Sequence, residues 1–363
     1  MFIITIMRGG ATPLTQLAQY DLLHELVFNR ANNVYHISSS SSYGIVYGIT
    51  LPENVEPLHI EYGQPIRNYV LKIALINPDE DYEDDEEVQT PPDDEENINK
   101  RVMRLDEFTQ EIVTQNFIWN KTSTRGNPVC PSVIDEGCGV FAYNFPELLL
   151  QKYPDLAPSM NLVLQQSEEK HAYPAFMLMN LIRGRPLHVV HHLPQSEISF
   201  YNLSLLYQRI FVKAMRLCLE CNILHEDLHS NNILVDDNLN PFLIDFGRVR
   251  RIVPDSNVFT TRYYDMVNNN NLDADNIVTY VNDFCSQFTS ASMEFEYILN
   301  HLVRPFDNNG NLNYEDEDLE ENEISEYHAI RIWELLRQEL QGVDYLMHGG
   351  KKSRKCKSKS KKR

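Results

Sequence analysis

Apolar positions recur along this chain with two different periods. Asn68 to Ile76 (NYVLKIALI) is an almost unbroken apolar run, the pattern of a strand buried on both faces. One charge, Lys72, interrupts it, and an ammonium buried alone is costly, so Lys72 needs a partner. Val34 to Thr50 reads as strand, polar loop, strand. Ala175 to Ile182 (AFMLMNLI) reads as a further buried strand, and Pro128 to Phe141 holds strand-like pieces. Helical spacing dominates elsewhere. Thr12 to Asn29 carries Leu14, Leu17, Ala18, Leu22, Leu23, Leu26 and Val27 on one face, with Thr12 as cap before Pro13. Arg104 to Trp119 is amphipathic. Pro146 to Met160 reads as helix or insertion. Ser196 to Asn222 is a long helix with Leu203, Leu206, Ile210, Val212, Met215, Leu217 and Leu219. Phe284 to Val303 is helical, and Ser325 to Leu340 is a final helix capped at Ser325 and ended near Gly342.

Ile223 to Val249 has a different texture. Two polar clusters each adjoin a short apolar run: His225 to Asn232 before Ile233-Leu-Val235, and Asp245-Phe246-Gly247 after Leu243-Ile244. The turn-rich Asp236 to Asn240 separates the runs. The expectation is a hairpin holding two carboxylates and a carboxamide at its ends. Hard divalent metals want oxygen ligands, which Asn232 and Asp245 supply. Asp227 is left to receive or orient an acceptor hydroxyl.

This hairpin resembles the catalytic and metal-binding loops of the protein-kinase-like superfamily. His225, Asp227, Asn232, Asp245, Phe246 and Gly247 match its pattern, and the interval from Asp227 to Asp245 is similar. The resemblance implies an α+β, two-lobed fold: a small lobe of antiparallel sheet plus one key helix, and a large, mostly helical lobe. It implies a phosphotransferase using ATP with Mg2+ or Mn2+. Lys72 would hold the α and β phosphates and pair with a helix carboxylate, Glu111 or, one turn earlier, Glu107. Gly44 and Val46 fit the end of the phosphate loop, with Ser39 and Ser41 where its first glycines would stand. Met179 would back an adenine pocket, with Asn180, Leu181 and Ile182 presenting backbone groups to the base. His225 would brace the catalytic loop.

Two departures bear on the acceptor. His229 stands where protein kinases usually carry lysine, and no Ala-Pro-Glu signature follows Gly247. The pattern H-x-D-L-H-x-x-N looks like that of atypical kinases, haspin-like ones among them, and of some small-molecule phosphotransferases. A histidine there can donate to a phosphate oxygen, with a charge conditional near neutral pH. Protein Ser/Thr is the first acceptor expected. A small hydroxylated molecule of the aminoglycoside or choline type comes second, and a pseudokinase scaffold third.

Composition adds boundaries. Hydrophobic content of 42% and charge of 23% fit a soluble globular chain with some disordered segments. The expected division is an N-terminal extension over 1–30, a small lobe over 31–180, a large lobe over 181–345 and a basic tail over 346–363. Asp79 to Glu96 holds 12 acids with Pro91 and Pro92, so 77–99 reads as a disordered insertion. Lys351 to Arg363 holds nine Lys or Arg and no acid. The body is therefore more acidic than the net −20, which argues against a general nucleic-acid binder. The tail suits nucleic acid or other anions, and its double glycine looks similar to tails of some large DNA virus proteins. Met1 to Met7 is apolar but lacks a basic leader and a cleavage site, so no signal peptide is expected. With no such signal, the six cysteines read as reduced thiols in an intracellular protein: cytoplasmic, nuclear or virion-associated. Cys218 and Cys221 form C-x-x-C without a second ligand pair, and His188, His191 and His192 lack accompanying ligands. No transmembrane run is present, and a monomer is expected.

Overall fold

The computed structural model describes residues 23–38, 44–57, 59–61, 64–77, 102–138, 145–169, 171–194, 196–289 and 324–340. Ser39 and Ser41, the start of the helix expected from Thr12, the acidic insertion beyond Asn77, the segment 290–323 and the basic tail lie outside the described residues. The fold is α+β, with its sheet toward the N-terminal side and long helices after it. Two compact units divide the chain. One comprises Met1–Lys121, Pro128–Val190 and Ser230–Arg250; the other comprises Thr122–Asn127, His191–His229 and Arg251–Arg363.

The first unit is built on β1 (Asn33–Ser38), β2 (Gly44–Thr50), β5 (Asn68–Asn77), β7 (Val133–Cys138) and β8 (Tyr173–Asn180), in the order β1-β2-β5-β8-β7 with antiparallel neighbours. A short β3–β4 hairpin (Ile60–Glu61, Gln64–Pro65) precedes β5, and β6 (Val102–Arg104) pairs with β5 in parallel. The period of two in β5 sorts its side chains. Tyr69, Leu71, Ile73 and Leu75 enter one apolar cluster, and Ala74 and Ile76 enter another. The first cluster is closed by material the sequence left ambiguous. Residues 145–169 form two helices, α2 (Phe145–Lys152) and α3 (Ala157–Glu169), which add Phe145, Leu149, Met160 and Val163. A π-helical turn, Glu25–Arg30, adds Leu26 and Val27. Lys152 Nζ donates to the carbonyls of Val27 (3.1 Å) and Phe28 (2.7 Å), tying that turn down. The second cluster is covered by α1 (Leu105–Thr122), through Phe108 and Ile112.

The hairpin of 223–249 forms as read: β11 (Ile233–Asp236) pairs antiparallel with β12 (Pro241–Leu243), Ile233 opposite Leu243. Asp236 Oδ1 accepts from the amides of Asn238 (2.9 Å) and Asn240 (2.7 Å), and Leu239 takes the left-handed backbone at the turn. A third strand, β9 (Gly184–Pro186), lies on β11. A Cβ at Gly184 would sit 2.0 Å from the carbonyl oxygen of Val235, so only glycine admits this approach.

In the second unit, α5 (Phe200–Cys221) starts at Ser199, whose hydroxyl accepts from the Asn202 amide (3.2 Å). It ends at Asn222 in the left-handed region (φ 55°), before β10 (Ile223–His225). After β13 (Val249–Arg251) comes α6 (Val258–Asn268), then α7 (Ala274–Thr289) and α8 (Glu326–Leu340). Trp333 of α8 packs on Tyr263 and Tyr280. The cap expected at Ser325 differs in kind. The Ser325 hydroxyl is buried without a hydrogen-bond partner. Asn282 instead fixes the chain just before the helix, accepting from the Ile324 amide (2.8 Å) and donating to its carbonyl (3.3 Å).

Candidate functional site

Register carries Lys72 to its partner. Lys72 shares the strand face of Ala74 and Ile76, the face covered by α1. On α1, Phe108, Glu111, Ile112 and Gln115 follow the i, i+3, i+4, i+7 rule and share one stripe. Lys72 Nζ therefore meets Glu111 Oε1 at 2.7 Å, with side chains 9% and 2% exposed. Glu107 is elsewhere: its carboxylate reaches back to the Arg104 amide (3.2 Å) at the exposed start of α1. Val46 on β2 and Met177 on β8 stand opposite Lys72, and Met179 lies two residues further along β8.

Sequence reading overlooked Gln115. Its buried amide nitrogen donates to the Pro131 carbonyl (3.1 Å) and to Met179 Sδ (3.3 Å). Its position one turn after Glu111 was the available signal. At the end of β8, the Asn180 amide donates to the Ser132 carbonyl and the Leu181 amide to the Asn68 carbonyl, both at 3.1 Å. Neither amide is thus open to a base, because the sheet uses both. The Asn180 side chain donates to Glu61 Oε2 (2.5 Å). Gly44 has a packing reason of its own: a Cβ there would lie 2.6 Å from the Ile73 carbonyl oxygen.

Asp245 belongs to the same unit. Its backbone is left-handed, φ 61°, a region where Asp and Asn are the commonest non-glycine residues. The Ile244 amide beside it donates to the Asn232 carbonyl at 3.0 Å, so the hairpin ladder holds the two oxygen donors at one end. Asp245 acts on both members of the buried pair. Burial works against the Lys72 ammonium, yet the Glu111 and Asp245 carboxylates outweigh it and hold the lysine above its usual pKa. Burial pushes the Glu111 carboxyl up; Lys72 opposes this and Asp245 adds to it. Glu111 Oε2 is buried with no hydrogen-bond partner.

In the second unit, Asp227 is partly exposed and His225 is buried. The Asp227 amide donates to His225 Nδ1 (3.2 Å), which makes Nδ1 the acceptor and leaves the ring proton to Nε2. That contact folds the loop tightly around Asp227. His229 Nε2 lies 3.9 Å from Asp227 Oδ2, too long for a hydrogen bond.

The donor set fits a hard divalent cation carrying polyphosphate. Asn232 offers a carboxamide and Asp245 a carboxylate, with a fixed ammonium in the electrostatic range of Asp245. Among the described residues, no cluster of three His, Cys, Asp or Glu forms an all-protein metal cage. Mg2+ commonly takes one or two protein ligands and completes its shell with water and phosphate, so two donors suffice. Among those residues, too, no helix is long and apolar enough to cross a membrane.

With this geometry in view, a protein-family comparison matches residues 168–280 to the ABC1 atypical kinase-like domain. The matched stretch runs from the end of α3 into α7 and contains His225, Asp227, Asn232 and Asp245; Lys72 and Glu111 lie outside it. The match supports a kinase-like phosphotransferase or a pseudokinase. No curated protein matches the chain.

Proposed function

We propose, on the premise of a kinase-like domain, that the protein transfers the terminal phosphoryl group of ATP to an alcohol, with protein Ser/Thr the first acceptor class to test. The observation that carries this reading is the buried Lys72–Glu111 pair at 2.7 Å, with Asp245 acting electrostatically on both. A scaffold gains little from a buried ion pair, since apolar residues of similar size do as well or better.

Each residue then has a task. Lys72 binds the α and β phosphates, and Glu111 orients its ammonium. Asn232 and Asp245 would hold Mg2+, which supplies charge neutralisation along the polyphosphate when bound. Asp227 orients the acceptor hydroxyl and takes its proton late in transfer. His225 fixes the Asp227 loop through the amide contact, and His229 stands ready to donate to a phosphate oxygen. Most of the rate comes from positioning and charge stabilisation.

A second reading, a small hydroxylated acceptor, is favoured by one feature. Residues 248–257 lead from Gly247 straight to α6 through a short strand and a 3-10 turn. That passage offers little length for a peptide to lie along. The test is phosphate transfer from labelled ATP with Mg2+ to basic proteins, and to aminoglycoside- and choline-like alcohols. Wild type should label one class, and Asp227→Asn and Asp245→Asn should each reduce transfer at least ~100-fold. Melting stabilised by ATP-Mg2+ with no transfer to any acceptor, or to water, would establish a scaffold instead.

A further inference from the structure

Residues 129–132 belong to no helix or strand, yet all four are buried. Irregular backbone normally stays at the surface, because buried main-chain groups must find partners. Here the partners come from three different elements, all within the first compact unit. The Val129 carbonyl accepts from the Leu243 amide (2.9 Å) in β12, two residues before Asp245. The Pro131 carbonyl accepts from the Gln115 side-chain amide (3.1 Å) in α1, one turn after Glu111. The Ser132 carbonyl accepts from the Asn180 amide (3.1 Å) at the end of β8.

A second contact doubles the hold on α1. Cys130 Sγ donates to the Gln115 carbonyl at 3.5 Å. Gln115 is thus held through both its main chain and its side chain by adjacent residues of one segment. Pro131 suits the place, since it has no N–H in need of an acceptor and its ring fixes φ. Gln115 Nε2 also reaches Met179 Sδ (3.3 Å), on the strand whose Met177 stands opposite Lys72. Along the same stripe of α1, Phe108 and Ile112 are apolar and buried. Apolar burial is non-directional, so it holds a helix on a sheet without fixing its rotation or height. The hydrogen bonds of Gln115 are directional and fix both.

We infer that Gln115 is a positioning residue: through it the buried segment 129–132 fixes α1 to the sheet and to the hairpin that carries Asp245, and so sets Glu111 against Lys72. The catalytic consequence rests on the proposed phosphate-holding role of Lys72; the mechanical part does not. Glu111 and Gln115 are about 6 Å apart along the helix, so a shift at one is passed to the other.

The test is Gln115→Met in the full chain, which keeps length and bulk but removes the donor. Amide exchange across 105–122 should quicken about tenfold, through loss of a buried hydrogen bond. KM for ATP should rise about tenfold, with kcat changed less. Added to Glu111→Gln, the same substitution should raise KM no further, because there is no carboxylate left to position. Gln110→Leu, which removes a bond to Thr114 within the same helix, should change neither reading. Exchange in 105–122 as in wild type would overturn the inference. So would a KM that rises equally with and without the Glu111 carboxylate. If Gln115→Met fails to fold, Gln115→Asn, one methylene short of the Pro131 carbonyl, is read in the same way. If wild type shows no response to ATP-Mg2+, the nucleotide reading falls, while the exchange comparison still decides whether Gln115 holds α1.

Discussion

Among the described residues stand two buried ionic clusters, and they are built on opposite principles. Around Arg216 every charge is answered: two carboxylates and two carbonyls accept from one guanidinium. Around Lys72 the answer is incomplete. One carboxylate faces one ammonium, Glu111 Oε2 has no hydrogen-bond partner, and Asp245 adds a second negative charge nearby. A saturated cluster holds backbone in place. An under-saturated one keeps capacity for another ligand, as the proposed phosphate-holding role of Lys72 requires.

The contrast is sharpest under single truncation. Arg216→Met removes the cation that two carboxylates and two carbonyls share in the interior, and should cost about 3–5 kcal/mol by urea unfolding. Replacing both members of the other pair should do the reverse. Lys72→Met with Glu111→Leu removes an incompletely satisfied pair, and should leave stability unchanged or raise it by ~1–4 kcal/mol, while abolishing stabilisation by ATP-Mg2+. A large loss of stability in that double variant would erase the distinction between the clusters.

A smaller effect follows from pH. Burial raises the Glu111 carboxyl above 4.5. A carboxyl whose folded pKa exceeds its unfolded one contributes most stability below 4.5, and loses it as pH rises through the folded value. Wild type should show that decline relative to Glu111→Gln, which has no proton to release; urea midpoints across the acid range measure it. The smallest effect should come from the exposed Arg331–Glu334 pair, where a double-mutant cycle should return under about 0.5 kcal/mol.

Much of this was legible in sequence where local pattern decided the outcome. The charge inside NYVLKIALI announced a buried partner, and helical spacing in α1 offered Glu111 beside Glu107. The choice between them needed the sheet register, a long-range property. The hairpin strands were visible because apolar runs and turn residues alternate there. Helix α6 was not: VFTTRYYDMVN is rich in β-branched and aromatic residues, which favour helix weakly. Its signal lay outside it, in Asn257, whose side chain accepts from the Thr260 amide (3.1 Å). The Arg216 cluster was hidden for another reason. Its partners are main-chain carbonyls and a glutamate far along the sequence, and neither leaves a motif.

The left-handed backbone at Asp245 restricts what can follow it in the history of such a chain. Asparagine and glycine tolerate that conformation, whereas glutamate, the nearest ligand in charge, does so poorly. Loss of the carboxylate is therefore an easy step, and its exchange for another acid a hard one. Under the proposed phosphoryl transfer, a descendant that abandoned it would be expected to carry Asn or Gly at 245, with the hairpin around it unchanged. That one position would mark the abandonment before any change in fold did.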